Sequence, residues 1–213
     1  MSSTAVAALE AIGEAIGANK DYLTTLDAAI GDADHGINMT RGFQAVAPKI
    51  RALPDNADIG ALLKTVGMTL ISTVGGAAGP LYGTAFLRAA AVAQGAGTVT
   101  GDGALKMLEA AINGIKERGK ATVGEKTMLD ALVPACKAFA AAIKAGSSVV
   151  EGLEAACAAA ADGVEHTKTI VATKGRASYL GERSLGHQDP GATSSLIMLQ
   201  TLTEFCRRNK LGN

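Results

Sequence analysis

The chain has 213 residues, with 20 lysines and arginines against 20 aspartates and glutamates, so its formal net charge is zero. No basic field is available to draw in nucleic acid or anionic lipid, and any recognition of phosphate has to be local. Hydrophobic residues make up 48% but aromatics only 3%, an alanine-rich balance that suits close helix-to-helix approach and argues against a β core.

A chain of this length can bury roughly 70% of its extended surface as one domain, and no linker or regular repeat divides residues 1–213. Cys136, Cys157 and Cys206 are widely spaced in apolar segments. They read as reduced core thiols rather than a disulfide framework or a metal knuckle, which favours the cytoplasm. The start, "MSSTAVAALEAIGEAIGANK", lacks a basic n-region and carries Glu10 and Glu14 inside the apolar pattern, so neither a signal peptide nor a membrane span is expected.

Val6, Leu9, Ile12 and Ile16 recur at three- and four-residue steps, and the period continues through Tyr22, Leu26 and Ile30; this stretch is predicted helical. "HGINMTRGFQAVAPKI" reads as a further helix, and Asp58 as the N-cap of "IGALLKTVGMTLISTV". The glycine-rich break "GGAAGPLYG" opens a run through "TAFLRAAAVAQ". "GDGALKMLEAAINGIKERG" is helical to Gly119, where Lys116, Arg118 and the glycine form a C-terminal signal. After the loop "KATVGEKTM" come "LDALVPACKAFAAAIKAG", with Pro134 in its first turns, then a long helix capped by Ser147 or Ser148, and finally "GATSSLIMLQTLTEFCRRNK". The count is roughly eight helices and no strand, an all-α class. Between Lys174 and Gly191, "KGRASYLGERSLGHQDPG" has no helical or strand period and exceeds the usual connection of about 4–6 residues; it is read as a functional loop.

The stretch "LDAAIGDADHG" places Asp27, Asp32 and Asp34 within eight residues. Two carboxylates about 4 Å apart repel by roughly 4 kcal/mol in an effective dielectric near 20, so the cluster calls for a metal ion, a lysine or arginine, or intervening water. An EF-hand is excluded, because Gly36 and Phe43 stand at its fifth and twelfth positions. "GIKERGKA" nearly spells a Walker A loop but ends in Ala121 and follows a helix, and no GxGxxG occurs. Three carboxylates suit Mg²⁺, which takes a few carboxylates and completes its shell with water and substrate phosphates. Asp-x-Asp aims both loop carboxylates to one side if that loop is extended, while the plainer reading has Asp32 or Asp34 capping the next helix. His35 and Asn38 open that helix, where unpaired N–H groups favour an anion. "GGAAGPLYG" offers backbone that can approach phosphate closely, and Arg176 and Arg183 offer charge. These are recurring parts of phosphoryl transfer.

"LDAAIGDADHG", "GGAAGPLYG", "GEKTM" and "GRASYLGERSLGHQDPGA" closely resemble the nucleotide-binding L subunits of bacterial dihydroxyacetone kinases, and the resemblance runs over essentially the whole chain. It implies an antiparallel barrel of eight helices with the nucleotide at one end. It implies further that Asp27, Asp32 and Asp34 hold two Mg²⁺ ions bridging the phosphates of ADP or ATP, with Arg176 completing the catalytic set. His35, Gly36, Ile37 and Asn38 match nucleotide contacts, as do Gly76, Ala77, Ala78, Gly119, Met128, Arg176 and the Asp189, Pro190, Gly191 turn. Ala78 is often serine in relatives, so a hydroxyl contact is lost here while the backbone amide remains.

The free-standing chain resembles the phosphoenolpyruvate-dependent form of the kinase. In that form a K subunit holds dihydroxyacetone, and a phosphohistidine on an M subunit rephosphorylates ADP in place. The expected partners are therefore those two subunits, with no nucleic acid, no membrane and a homodimer left open. A kinase subunit using ATP on another small ketose or aldose, and a non-catalytic regulatory helical barrel, are the competing readings.

Overall fold

The computed structural model describes residues 3–212. Among them are nine α-helices: α1 (Ser3–Ala18), α2 (Lys20–Ile30), α3 (His35–Arg51), α4 (Ile59–Thr73), α5 (Ala78–Val92), α6 (Gly101–Gly119), α7 (Leu129–Lys144), α8 (Val149–His166) and α9 (Pro190–Arg208). No strand occurs among the described residues. The N-terminal apolar period is interrupted at Asn19, so what reads as one helical stretch is two helices. The expected eight helices are nonetheless there as a closed ring: α1 packs on α3, each of α3 to α9 on the next, and α9 back on α1. The short α2 lies outside that cycle, against α3 and α9.

The apolar stripes predict what fills the ring. Leu9, Ile12 and Ile16 of α1 meet Met39, Phe43, Val46 and Ile50 of α3, Leu62, Val66 and Leu70 of α4, and Ile112 and Ile115 of α6. Each such side chain contributes about 1.5–3 kcal/mol on burial. A second cluster joins α7 and α8 through Ala131, Ala135, Ala156 and Ala160 around Phe139, and the small residues are what let these two helices approach closely. Truncating Phe139 to alanine would cost about 3–5 kcal/mol.

Helix ends follow the predicted chemistry. Asp58 accepts from Ala61 N at 2.6 Å, and Ser148 forms a capping box with Glu151. α6 ends at Gly119 as expected, and Lys120 beyond it takes the left-handed conformation. The Lys174–Gly191 stretch is not structureless: Arg176–Ser184 forms 3₁₀ turns broken at Gly181, whose φ of 55° no helix accommodates. A shorter 3₁₀ turn, Thr167–Thr169, directly follows α8. Among the described residues no helix is long and apolar enough to cross a membrane.

Candidate functional site

At one end of the ring the starts of α3, α5, α7 and α9 and the ends of α2 and α6 surround a cavity of about 330 Å³. Starts and ends alternate around it because the ring helices run antiparallel, so the positive ends of several helix dipoles meet at one place. The volume lies at the small end of the range for ligand pockets.

The acidic segment joins α2 to α3 at the edge of this cavity. One ligand oxygen from each of Asp27, Asp32 and Asp34 lies within 4.8 Å of the other two. Asp27, on the last turn of α2, is buried, and its Oδ2 accepts from Asp34 N at 2.8 Å and His35 N at 3.1 Å. The capping role that the plainer reading gives to Asp32 or Asp34 belongs to Asp27; Asp34 occupies the N-cap position of α3 without a side-chain cap bond. The loop is not extended either. Ala33 is left-handed, with φ 62°, and this turn brings Asp32 and Asp34 to the same place. Gly31 is required because a Cβ there would run into the Asp27 carboxylate.

A cation already stands among these acids. Arg176 Nε, from the 3₁₀ segment, donates to Asp32 Oδ2 at 2.8 Å. Lys126 lines the cavity too but is buried, and Lys174 pairs with Glu125 at 3.8 Å. Three carboxylate oxygens gathered on a loop are a hard-cation donor set, and the residues present fit Mg²⁺.

Beneath the cavity runs a buried polar network. His35 Nε2 meets Ser194 Oγ at 2.9 Å, and Tyr82 Oη lies 2.7 Å from Ser194 Oγ and 2.8 Å from Ser195 Oγ while donating to Gly191 O at 2.9 Å. Burial holds His35 below the usual imidazole range, against the pull of Asp27 and Asp34. Burial also pushes the Tyr82 hydroxyl up to about 12. Asp189 caps α9 by accepting from Ala192 N at 2.6 Å. Its burial, with Asp130 and Asp27 nearby, raises its carboxyl to about 7 against the opposing effects of that cap bond and Lys126.

Most of the predicted nucleotide contacts come together here. His35, Asn38, Gly76, Ala77, Ala78, Gly119, Met128, Arg176, Asp189, Pro190 and Gly191 all line the cavity with the three aspartates. Gly36 and Ile37 do not: Gly36 packs against the Lys20 carbonyl where α3 crosses α2, and Ile37 points away, half exposed. Asn38 Oδ1 accepts from Arg41 Nη2 at 2.7 Å, which leaves its amide hydrogens as donors. Arg183, the other candidate arginine, is exposed and off the cavity. Sequence reasoning missed Lys126, Tyr82, Ser194 and Ser195, although "GEKTM", "GPLYG" and "GATSS" hold them.

Fold and site together define an all-helical ring with an acidic, cation-ready cavity at one end. The chain belongs to the DAK2 domain family, which it matches over residues 29–204. It is 48% identical over 190 residues to the ADP-binding subunit of the PEP-dependent dihydroxyacetone kinase of Escherichia coli, covering 89% of this chain and 90% of that one. The ADP-binding subunit of PEP-dependent dihydroxyacetone kinase 1 of Listeria innocua is 44% identical over 196 residues, 92% of each. The crystal structure of the C. freundii dihydroxyacetone kinase in complex with AMP-PNP and Mg²⁺ superposes with a TM-score of 0.72 at 28% identity, over 96% of this chain. The chain spans about a third of that kinase, 34% of its length.

Proposed function

We propose that this chain is the nucleotide-holding subunit of a phosphoenolpyruvate-dependent dihydroxyacetone kinase. It keeps ADP or ATP with two Mg²⁺ ions and passes phosphoryl to dihydroxyacetone on a K subunit, and the ADP is rephosphorylated in place by a phosphohistidine on an M subunit. The observation that carries this reading is the convergence of Asp27, Asp32 and Asp34 on a cavity ringed by helix starts. The ADP-binding subunits matched over nine-tenths of their length support it.

Asp27, Asp32 and Asp34 would hold the metal, which when bound supplies the positive charge that neutralises phosphate oxygens. The division of labour among the side chains follows from their partners. Asp27 is oriented by two backbone N–H bonds, so it presents its carboxylate without rotamer search. Arg176 exchanges Asp32 for a phosphate when the carboxylate is engaged elsewhere. Asn38, its carbonyl taken by Arg41, donates to an anion. The N–H groups of Ala77, Ala78 and Gly191, at the starts of α5 and α9, face the same anion. Pro80, Leu81, Ile115 and Met128 give the apolar lining that suits a purine base.

The test is to denature the purified protein and assay for released ADP, and to melt it with and without ADP and Mg²⁺. Release of nucleotide, or a raised Tm only with both present, is expected; absence of both overturns the proposal. Turnover of dihydroxyacetone should need the K and M partners and a phosphocarrier. Repeated ATP turnover without a carrier would favour an ATP-dependent kinase subunit instead.

A further inference from the structure

Lys126, on the cavity wall, has unusual surroundings. It lies in the loop between α6 and α7 with a left-handed backbone, φ 60°, and is only 2% exposed. A buried ammonium and a non-glycine residue at positive φ are each unfavourable. What they serve is visible in the contacts of Nζ, which donates to Thr167 O at 2.5 Å, His187 O at 2.5 Å and Ile170 O at 3.4 Å. An ammonium has three N–H donors, and all three are matched to carbonyls.

Those carbonyls are not neighbours in sequence. Thr167 and Ile170 begin the excursion between α8 and α9, and His187 ends it. The excursion carries Arg176, the partner of Asp32, and delivers Asp189 to the head of α9. Two other bonds close the same neck, Gly186 N to Lys168 O at 2.8 Å and Asp189 N to Thr167 Oγ1 at 3.0 Å. The residue beside Lys126 grips the same segment: Glu125 accepts from Thr173 Oγ1 at 3.2 Å and pairs with Lys174. Burial lowers the Lys126 ammonium below the usual lysine range, against the pull of the nearby Asp189 and Asp130 carboxylates.

We infer that Lys126 is a positioning residue: its ammonium staples both ends of the 167–188 excursion and thereby sets Arg176 over the aspartate cluster. The excursion's own bonds shape its 3₁₀ turns, and the three-way tie reinforces its neck beside the Gly186–Lys168 and Asp189–Thr167 bonds. The consequence for Arg176 rests on the nucleotide-and-metal reading of the site; the tie itself does not.

The experiment therefore has two arms. In the first, amide hydrogen exchange is compared between the protein and Lys126→Met without nucleotide. Exchange across 170–187 should speed by about tenfold while α3 and α4 keep their protection. In the second, Mg·ADP affinity is measured in a double-mutant cycle with Arg176→Ala. Lys126→Met alone should weaken binding by about tenfold, and in the Arg176→Ala background by less than about twofold, because the staple acts through that arginine.

Unchanged exchange in 170–187, or fully additive losses in the cycle, would overturn the inference. If the parent protein binds no Mg·ADP, the functional proposal fails while the exchange arm still decides whether the staple exists. Should Lys126→Met fail to fold, Lys126→Gly removes the amine and suits the left-handed backbone. If neither variant folds, Lys126 is a determinant of the whole fold, and a role in placing this segment is excluded.

Discussion

Arg176 Nε sits 2.8 Å from Asp32 Oδ2, joining the 3₁₀ segment to the acidic loop. Under the proposed function the guanidinium and a metal ion would compete for this one carboxylate until an anion arrives. Arg176→Ala should therefore raise the affinity for Mg²⁺ alone, by about fivefold or less, and lower the affinity for Mg²⁺ with ADP. Arg176 is 66% exposed, so the melting curve without ligand should move by less than about 1 kcal/mol. Calorimetric titrations with Mg²⁺, in the presence and absence of ADP, decide the matter; changes of the same sign in both would refute the competition.

The three aspartates should separate in their effects on folding although the proposed function gives all three to the metal. Asp27 is buried and accepts two backbone N–H bonds from the start of α3, so Asp27→Ala should destabilise the metal-free protein by about 1–2 kcal/mol. Asp32 is exposed and accepts no backbone bond of this kind, and the repulsion from its two neighbouring carboxylates is set against its ion pair with Arg176. Asp32→Asn should leave metal-free stability unchanged or slightly raised while weakening metal binding and abolishing transfer. Urea unfolding in chelator, set beside a transfer assay, measures both. Equal destabilisation by the two variants would mean that the cluster is a capping device.

The helices and the acidic loop were legible because their signals are local. Leu9, Ile12 and Ile16 announce a buried face by spacing alone, and Asp27, Asp32 and Asp34 need no distant partner to be conspicuous. What escaped is what depends on chain crossings. Lys126 stands in a polar, glycine-flanked loop and looks solvated, and its burial follows only from carbonyls more than forty residues away. Tyr82 meets Gly191 across 109 residues, a pairing no periodicity contains. Gly175, Gly181 and Gly186 read as breakers and do adopt positive φ, but they punctuate 3₁₀ turns instead of abolishing structure.

Asp189 makes stability depend on pH in a direction opposite to that of a surface carboxylate. Its pKa is raised from 3.8 to about 7 by burial, with Asp130, Lys126 and Asp27 as its charged neighbours and the Tyr82 hydroxyl close by. Between those values the folded protein binds more protons at this group than the unfolded chain does. Stability therefore falls as pH rises through the window, by up to about 1.4 kcal/mol per unit. Nothing is lost below about pH 4, and the loss is complete above about pH 7. Asp189→Asn keeps an oxygen to cap Ala192 but cannot ionise. In chelator, its stability relative to the parent should rise steadily from pH 4 to pH 7 and then level. A difference that stays flat across that range would show that Asp189 is ionised at no cost in the fold.

Tyr82 offers the complementary case, a buried group that should not respond to pH. Its hydroxyl bonds Gly191 O, Ser194 and Ser195, tying α5 to the start of α9, and Ser194 in turn meets His35. In Tyr82→Phe the two serines keep the Gly191 carbonyl, which both already reach, at 3.1 and 2.9 Å, and Ser194 keeps His35. The loss should be about 1–2 kcal/mol, because the buried bonds made by the hydroxyl itself are removed. Because burial lifts the hydroxyl to about 12, Tyr82 remains a neutral donor throughout the workable range. The parent-minus-variant difference should therefore stay level from about pH 6 to pH 10. Mg·ADP affinity should fall with it, since Gly191 and His35 line the cavity, whereas Ser195→Ala, which leaves the Ser194–His35 link intact, should reduce stability but spare affinity. A variant Tyr82→Phe that melts earlier yet binds Mg·ADP unchanged would confine the network to the fold and sever it from the site.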